Sequence, residues 1–205
     1  MNRYPTGHRI SKGAPHAILL VACFLLLAAG VPATTSTWRI DPNHSTAQFV
    51  VRHLGISNVQ GDFTKVSGTV VLDDQDISKS SVNASIDVGS VDTRVTMRDN
   101  DLKSANFFDV TKYPTMTFQS TKIVSTGSGT AKMTGNLTIH GVTKVVTFDV
   151  TGPSAPVNTM GVRRGVEATT TISRKDFGIT SDAGIVGDDV KITLDAEMTL
   201  AGGAQ

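Results

Sequence analysis

Apolar and polar residues alternate along most of the chain, which is the pattern of strands with one buried and one exposed face. The last alternating segment is the clearest, because Ile192, Leu194 and Met198 share one face while Lys191 and Glu197 lie on the other. Glycine, proline and aspartate residues typical of turns separate the segments. The pattern predicts strands at residues 46–54, 68–72, 82–88, 115–124, 130–140, 143–151, 166–174 and 190–200.

Several local features refine this pattern. Residues 38–63 (WRIDPNHSTAQFVVRHLGISNVQGDF) are predicted as two strands divided at Gly55 and Gly61. Residues 130–151 form a predicted hairpin, and a single short helical segment is predicted near residues 97–108. Short, regularly spaced strands favour an all-β sandwich or barrel, and the strand pattern alone leaves both architectures open.

The first 33 residues have the composition of an export signal. Three basic residues and no acidic residue precede an apolar run at residues 17–29, which is shorter than the roughly 20 residues that a membrane-spanning helix needs. We therefore expect residues 1–33 to be a cleaved signal peptide, residues 34–205 to form one domain, and the protein to be periplasmic or secreted. An uncleaved anchor is one alternative, and lipoprotein anchoring at Cys23 is another.

Removal of the leader changes the charge and the available chemistry. The whole chain has 19 basic and 18 acidic residues; without the three leader cations the counts become 16 and 18, a net charge of −2. A weakly acidic surface without a basic stripe does not favour nucleic acid as a partner. Cys23 is the only cysteine, so the mature domain would contain neither a disulfide nor a thiolate metal site.

Four polar residues could carry chemistry. Asp41, His44, His53 and His140 are residue types found in metal sites and acid–base pairs. Their spacing matches no metal-ligand motif, and the chain has no GxSxG, P-loop or dinucleotide fingerprint. We therefore favour structural hydrogen bonding for these residues and expect no enzyme activity, no metal and no cofactor.

Five sequence blocks in order carry a family resemblance. They are residues 38–63, residues 97–118 (MRDNDLKSANFFDVTKYPTMTF), residues 135–150 (GNLTIHGVTKVVTFDV), residues 172–179 (ISRKDFGI) and residues 188–198 (DDVKITLDAEM). On these blocks the chain resembles the YceI family of exported, polyisoprenoid-binding-like bacterial proteins. The resemblance implies an eight-stranded antiparallel lipocalin-like barrel, a helix-bearing segment packed near it, and frequent dimers. It also implies a lumen that holds an amphiphile with a long isoprenoid or alkyl chain, such as a quinone.

An eight-stranded barrel has an interior that side chains can fill or that can hold one small ligand. Both a cavity and an ordinary packed core are consistent with the apolar inner faces of this chain. Phe107 and Phe108 lie outside the regular strands and could line the mouth or staple the helical segment to the barrel. The candidate ligand-binding residues, at the lumen or its mouth, are Phe49, Val51, Phe107, Phe108, Leu137, Ile139, Val146, Phe148, Ile192, Leu194 and Met198.

Three functions remain open from the sequence. The favoured one is an exported carrier of an amphiphilic lipid, with transient membrane contact and a homodimer as further expectations. The second is a structural or stress-related interaction protein with a filled barrel. The third is a lipid-modifying enzyme that uses a histidine and an acidic residue.

Overall fold

Eight antiparallel strands close into a ring. The computed structural model describes Met1 and residues 35–202. The predicted signal peptide and Cys23 therefore lie outside the described residues, apart from Met1. The strands are β1 (Thr35–Ile40), β2 (Thr46–His53), β3 (Ser57–Phe63), β4 (Val66–Asp73), β5 (Ser81–Asp87), β6 (Val91–Asp92), β7 (Thr115–Gly127), β8 (Thr130–Ile139), β9 (Val142–Thr151), β10 (Val157–Asn158), β11 (Val162–Ser173) and β12 (Val186–Leu200).

The ring runs β12–β1–β4–β5–β7–β8–β9–β11 and returns to β12. All its strand pairs are antiparallel, so the predicted eight-stranded barrel is confirmed. The predicted hairpin is also confirmed, because β8 and β9 pair along their whole length. His140 and Gly141 form its two-residue turn with φ angles of 51° and 75°, which is the left-handed geometry that suits the twist of a hairpin.

The segment 38–63 differs from its prediction, since it contains the end of β1 and two further strands. β12 is long enough to pair first with β2 and then with β1 along the same edge. β2 and β3 therefore form a hairpin that leaves the ring, and β3 pairs with β6 only at Asp62 and Phe63. Gly55 lies in the β2–β3 turn, whereas Gly61 lies within β3 and marks no turn.

The connection between β6 and β7 includes the predicted helix. Helix α1 spans Thr96–Lys103, and turns follow it through Phe108. No helix among residues 35–202 is long and apolar enough to cross a bilayer.

The inward side chains form one large buried cluster and one small one. The large cluster includes Phe118, Phe148 and Phe177. The small cluster contains Trp38, Val70, Leu72 and Met198, where β12, β1 and β4 are neighbours in the ring.

Candidate ligand-binding cavity

The barrel encloses a cavity of about 250 Å³. Its wall combines inward residues of the ring, the inner face of the β2–β3 hairpin and apolar residues of the α1 segment. The α1 segment is helix α1 together with the turns that follow it, residues 96–108. The lining is apolar except for five residues, which are Thr46, Gln48, Ser80, Thr117 and Arg174. Side chains therefore do not fill the interior, and the space favours an apolar occupant.

Most of the predicted ligand-binding residues surround this cavity. Those that line it are Phe49, Val51, Phe107, Phe108, Leu137, Ile139, Phe148, Ile192, Leu194 and Met198. Val146 is half-buried and packs against the large buried cluster without lining the cavity. The structure thus brings ten of the eleven residues together around one space, and their binding of a ligand stays a prediction.

A row of three aromatic rings connects the β2–β3 hairpin to the α1 segment. The ring centroids of Phe49 and Phe63 are 5.7 Å apart, and those of Phe63 and Phe108 are 5.6 Å apart. Phe107, beside Phe108, is also buried. Both of these phenylalanines line the cavity while they pack against the barrel, so the two roles foreseen for them are compatible. Phe63 was missed as a lining residue, although alternation from Gly61 places it on the inner face of β3.

Arg174 is the only charged residue among the described lining residues, and only 6% of its side chain is exposed. Its guanidinium donates hydrogen bonds to the carbonyl oxygens of Ile179, Ser181, Val186 and Gly187 at 2.6–3.1 Å. A short 3-10 turn begins at Arg174, the last residue of the predicted strand 166–174, and the burial of Arg174 was not predicted. This residue stabilises the segment between β11 and β12 rather than offering a free charge to a ligand.

The β11–β12 segment also contacts the α1 segment. The Ser181 hydroxyl donates a hydrogen bond to the carbonyl of Asn106, just after α1. This hydrogen bond joins the loop between β11 and β12 to the turns that follow α1.

A polar cluster lies at the turn between β1 and β2. His44 Nδ1 and Asp41 Oδ2 are 3.0 Å apart, and Arg163 Nη1 donates to the same carboxylate oxygen at 2.8 Å and also to Glu197. Hydrogen bonds from His44, from the backbone N–H of Asn43 and from Arg163, in that order of size, lower the pKa of Asp41 to about 2.

This cluster includes three groups that could bind a metal ion. Ligand-type atoms of Asp41, His44 and Glu197 all lie within 4.8 Å of one another. Arg163 already supplies a cation to both carboxylates, so the arrangement is that of a structural ion-pair network. The observed contacts agree with the structural interpretation of Asp41 and His44.

The other two candidate histidines, His53 and His140, lie apart from this cluster. His140 packs its ring against Tyr113 with centroids 4.6 Å apart, and His53 ends β2. None of Asp41, His44, His53 and His140 is among the residues that line the cavity. The described geometry therefore gives no acid–base pair beside a ligand in the lumen.

Known proteins share this architecture. The YceI-like domain family matches residues 38–198 of the chain. A UPF0312 protein of Serratia proteamaculans (strain 568) is 39% identical over 183 residues, which cover 87% of this chain and 93% of that protein. The crystal structure of Burkholderia cenocepacia BcnA superposes with a TM-score of 0.70 at 28% identity, covering 77% of this chain and 98% of BcnA.

A more distant structure has the same fold. It is a polyisoprenoid-binding domain from Saccharophagus degradans, implicated in plant cell wall breakdown, with a TM-score of 0.59 and 17% identity. The match covers 80% of this chain and 98% of that domain. At this identity the likeness shows the fold alone.

Proposed function

The chain belongs to the YceI-like family, and on that premise we propose that it is an exported carrier of an amphiphilic lipid. The apolar part of the ligand, an isoprenoid or similar long chain, would lie in the barrel cavity. The observation that carries this proposal is the cavity of about 250 Å³ with an almost wholly apolar lining. The polyisoprenoid-binding domain with the same fold supports this ligand class. Family and fold both favour a binding protein over an enzyme.

The size of the cavity limits how much of the ligand it holds. At roughly 30 Å³ for a water-sized group, 250 Å³ accommodates about eight methylene-sized groups. Burying eight such groups at ~0.8 kcal/mol each gives about 6 kcal/mol before the costs of ordering and association. A longer chain must extend out of the barrel or displace lining side chains. Affinity should therefore rise steeply with the first carbons and then level off.

A series of prenols tests this proposal. Geraniol, farnesol and geranylgeraniol would be titrated into the protein and their complexes measured by native mass spectrometry. We expect one ligand per barrel and similar affinities along the series, because geraniol already has more carbons than the cavity holds. A protein that takes up none of these prenols would refute the carrier function.

A matched pair of substitutions locates the binding site. Ala196 lines the cavity, whereas Ala155 is exposed in the loop before β10. Ala196→Leu should weaken prenol binding about tenfold or more by occupying part of the lumen, since tenfold corresponds to ~1.4 kcal/mol. Ala155→Leu should leave binding unchanged. Equal affinities for the two variants would place the ligand outside the cavity.

Export is part of the proposal and needs its own experiment. We propose that residues 1–33 are removed and that the domain functions in the periplasm or outside the cell. Fractionation of cells expressing a C-terminally tagged chain, followed by N-terminal sequencing, tests this. Recovery of the uncleaved chain in the cytoplasm would contradict it.

A further inference from the structure

Three aliphatic side chains are exposed together where the β2–β3 turn meets the loop before β12. The exposed fractions are 54% for Leu54, 78% for Ile56 and 46% for Ile185. The backbone N–H of Leu54 donates to the carbonyl oxygen of Ile185 at 2.7 Å, which joins the two loops. We call these three residues the apolar tip.

Leu54 is an unusual residue for its position. Its φ of 51° and the φ of 71° at Gly55 place both residues in the left-handed region. Turns of this geometry favour asparagine or aspartate followed by glycine, because a bulky side chain is strained there. An exposed leucine here therefore has a strained backbone and also leaves apolar surface in contact with water. Met160 has a similar φ and is also exposed. What distinguishes Leu54 is its place beside two further exposed aliphatic residues, Ile56 and Ile185.

The tip is held in a defined shape. Arg52 Nη2 donates to the Gly55 carbonyl at 2.8 Å, and Arg52 Nη1 donates to Asn58 Oδ1 at 2.9 Å. These two bonds connect the turn to the β2 and β3 strands on either side of it. The exposed guanidinium adds a cation beside the tip.

The size of the tip and its position favour a lipid surface as the partner. Three aliphatic side chains cannot cover the roughly 800 Å² per partner that a stable protein interface buries. They are sufficient for shallow insertion at the boundary between headgroups and acyl chains. The same strands continue into the cavity wall, because Val51 and Val186 line it. Val51 lies three residues from Leu54, or about 10 Å along an extended strand.

We propose that the apolar tip docks the protein on a phospholipid bilayer, where its ligand is collected or delivered. This inference rests on the proposed carrier function, since a ligand with a long apolar chain resides in membranes. Insertion would place the cavity wall next to the acyl layer of the bilayer, so the apolar chain of the ligand need not cross water. Arg52 would lie at the level of the lipid phosphates.

The experiment uses the exported protein and vesicles of pure phosphatidylcholine. Leu54→Asn with Ile56→Ser removes most of the tip and puts a residue that tolerates left-handed geometry at position 54. The matched control is Met160→Asn with Val157→Ser, because Met160 and Val157 are also exposed and Met160 has a φ of 53°. The tip variant should bind vesicles about tenfold more weakly than the control and transfer a fluorescent prenol from them correspondingly more slowly.

A fluorescence measurement gives an independent readout of depth. Trp38 is the only tryptophan and is buried, so Ile56→Trp adds a probe at the tip. Brominated acyl chains should quench the added tryptophan when vesicles are present. Equal vesicle binding by the tip and control variants, or no quenching, would overturn the docking proposal. A tip variant that changes only self-association would instead assign the tip to a second copy of the chain, which also overturns it.

The two proposals fail in different ways. If the protein binds prenols in detergent solution but does not bind vesicles, the docking proposal is wrong and the carrier function stands. If vesicle binding depends on the tip but the lumen takes up no prenol, the docking surface is real and the carrier function is wrong.

Discussion

The ring of Phe49 lies against the backbone of Gly61, in the space that the Cβ atom of any other residue would occupy. A Cβ atom at position 61 would lie 2.7 Å from Phe49 Cε1 and equally close to Thr93 Cγ2. Gly61 is thus required by packing within the β2–β3 hairpin, and its role is to hold an aromatic ring inside the cavity wall.

We expect Gly61→Ala to displace Phe49 and lower the free energy of unfolding by about 1–3 kcal/mol, as overpacking does in other cores. Displacement of the ring into the lumen should also weaken prenol binding. Urea denaturation and ligand titration measure the two effects. The control is Gly165→Ala in β11, where nothing lies within 4 Å of the added atom. That control should be neutral or slightly stabilising, and equal losses in both variants would contradict the packing role.

Arg174→Lys should loosen the segment between β11 and β12. A lysine has three donors on one nitrogen and cannot reproduce the planar fork that serves four carbonyl groups. Leaving buried carbonyls unpaired should cost about 2–3 kcal/mol. Denaturation gives the stability, and hydrogen exchange should accelerate in residues 179–187.

A neighbouring residue provides the control for Arg174. The Lys175 side chain is 45% exposed and pairs with Asp188 at 2.7 Å. Lys175→Met should cost less than about 1 kcal/mol, because exposed ion pairs contribute little. Wild-type stability and exchange in Arg174→Lys would show that its carbonyl contacts are dispensable.

Asp41 should contribute stability that depends on acid pH. Its pKa falls from 3.8 to about 2 in the folded protein, chiefly through the hydrogen bond from His44. The carboxylate therefore stabilises the fold above about pH 4, and this contribution is lost as the pH falls toward 2. The shift corresponds to about 2 kcal/mol, which we reduce to about 1 kcal/mol because 59% of the His44 side chain is exposed.

Comparison of wild type with Asp41→Asn between pH 2 and pH 7 tests this contribution. The difference in unfolding free energy should be largest above pH 4 and close to zero near pH 2. Asp195→Asn is the matched control, since Asp195 is exposed on β12 and forms no ion pair within residues 35–202. A pH-independent difference for Asp41→Asn would show that its carboxylate charge is not responsible.

Seven of the eight ring strands could be predicted from the alternation of apolar and polar residues. The eighth, β1, was not predicted, and the predicted strand at residues 46–54 is β2, which leaves the ring. Alternation also placed Val146 correctly on the inner side of β9. It could not show that the cavity stops short of Val146, because the extent of a cavity depends on how neighbouring strands pack.

Long-range pairing explains what the sequence did not reveal. The departure of β2 and β3 from the ring depends on β12, more than 130 residues away, pairing with both β2 and β1. Arg174 ends a predicted strand and is followed by Lys175 and Asp176, so nothing in the local sequence indicated that its side chain is buried. Its burial depends on carbonyl groups that the fold gathers from residues 179–187.

The pairing of Trp38 in β1 with Leu200 in β12 determines when folding can finish. These are the first and last strands that the structure describes, so the lumen does not exist until the final strand is free to pair. Before that moment β11 and β1 each present an open edge that could pair with another chain. Contacts between such distant residues form slowly. A truncation that ends the chain a few residues before position 200 should therefore cause aggregation, not a smaller folded barrel.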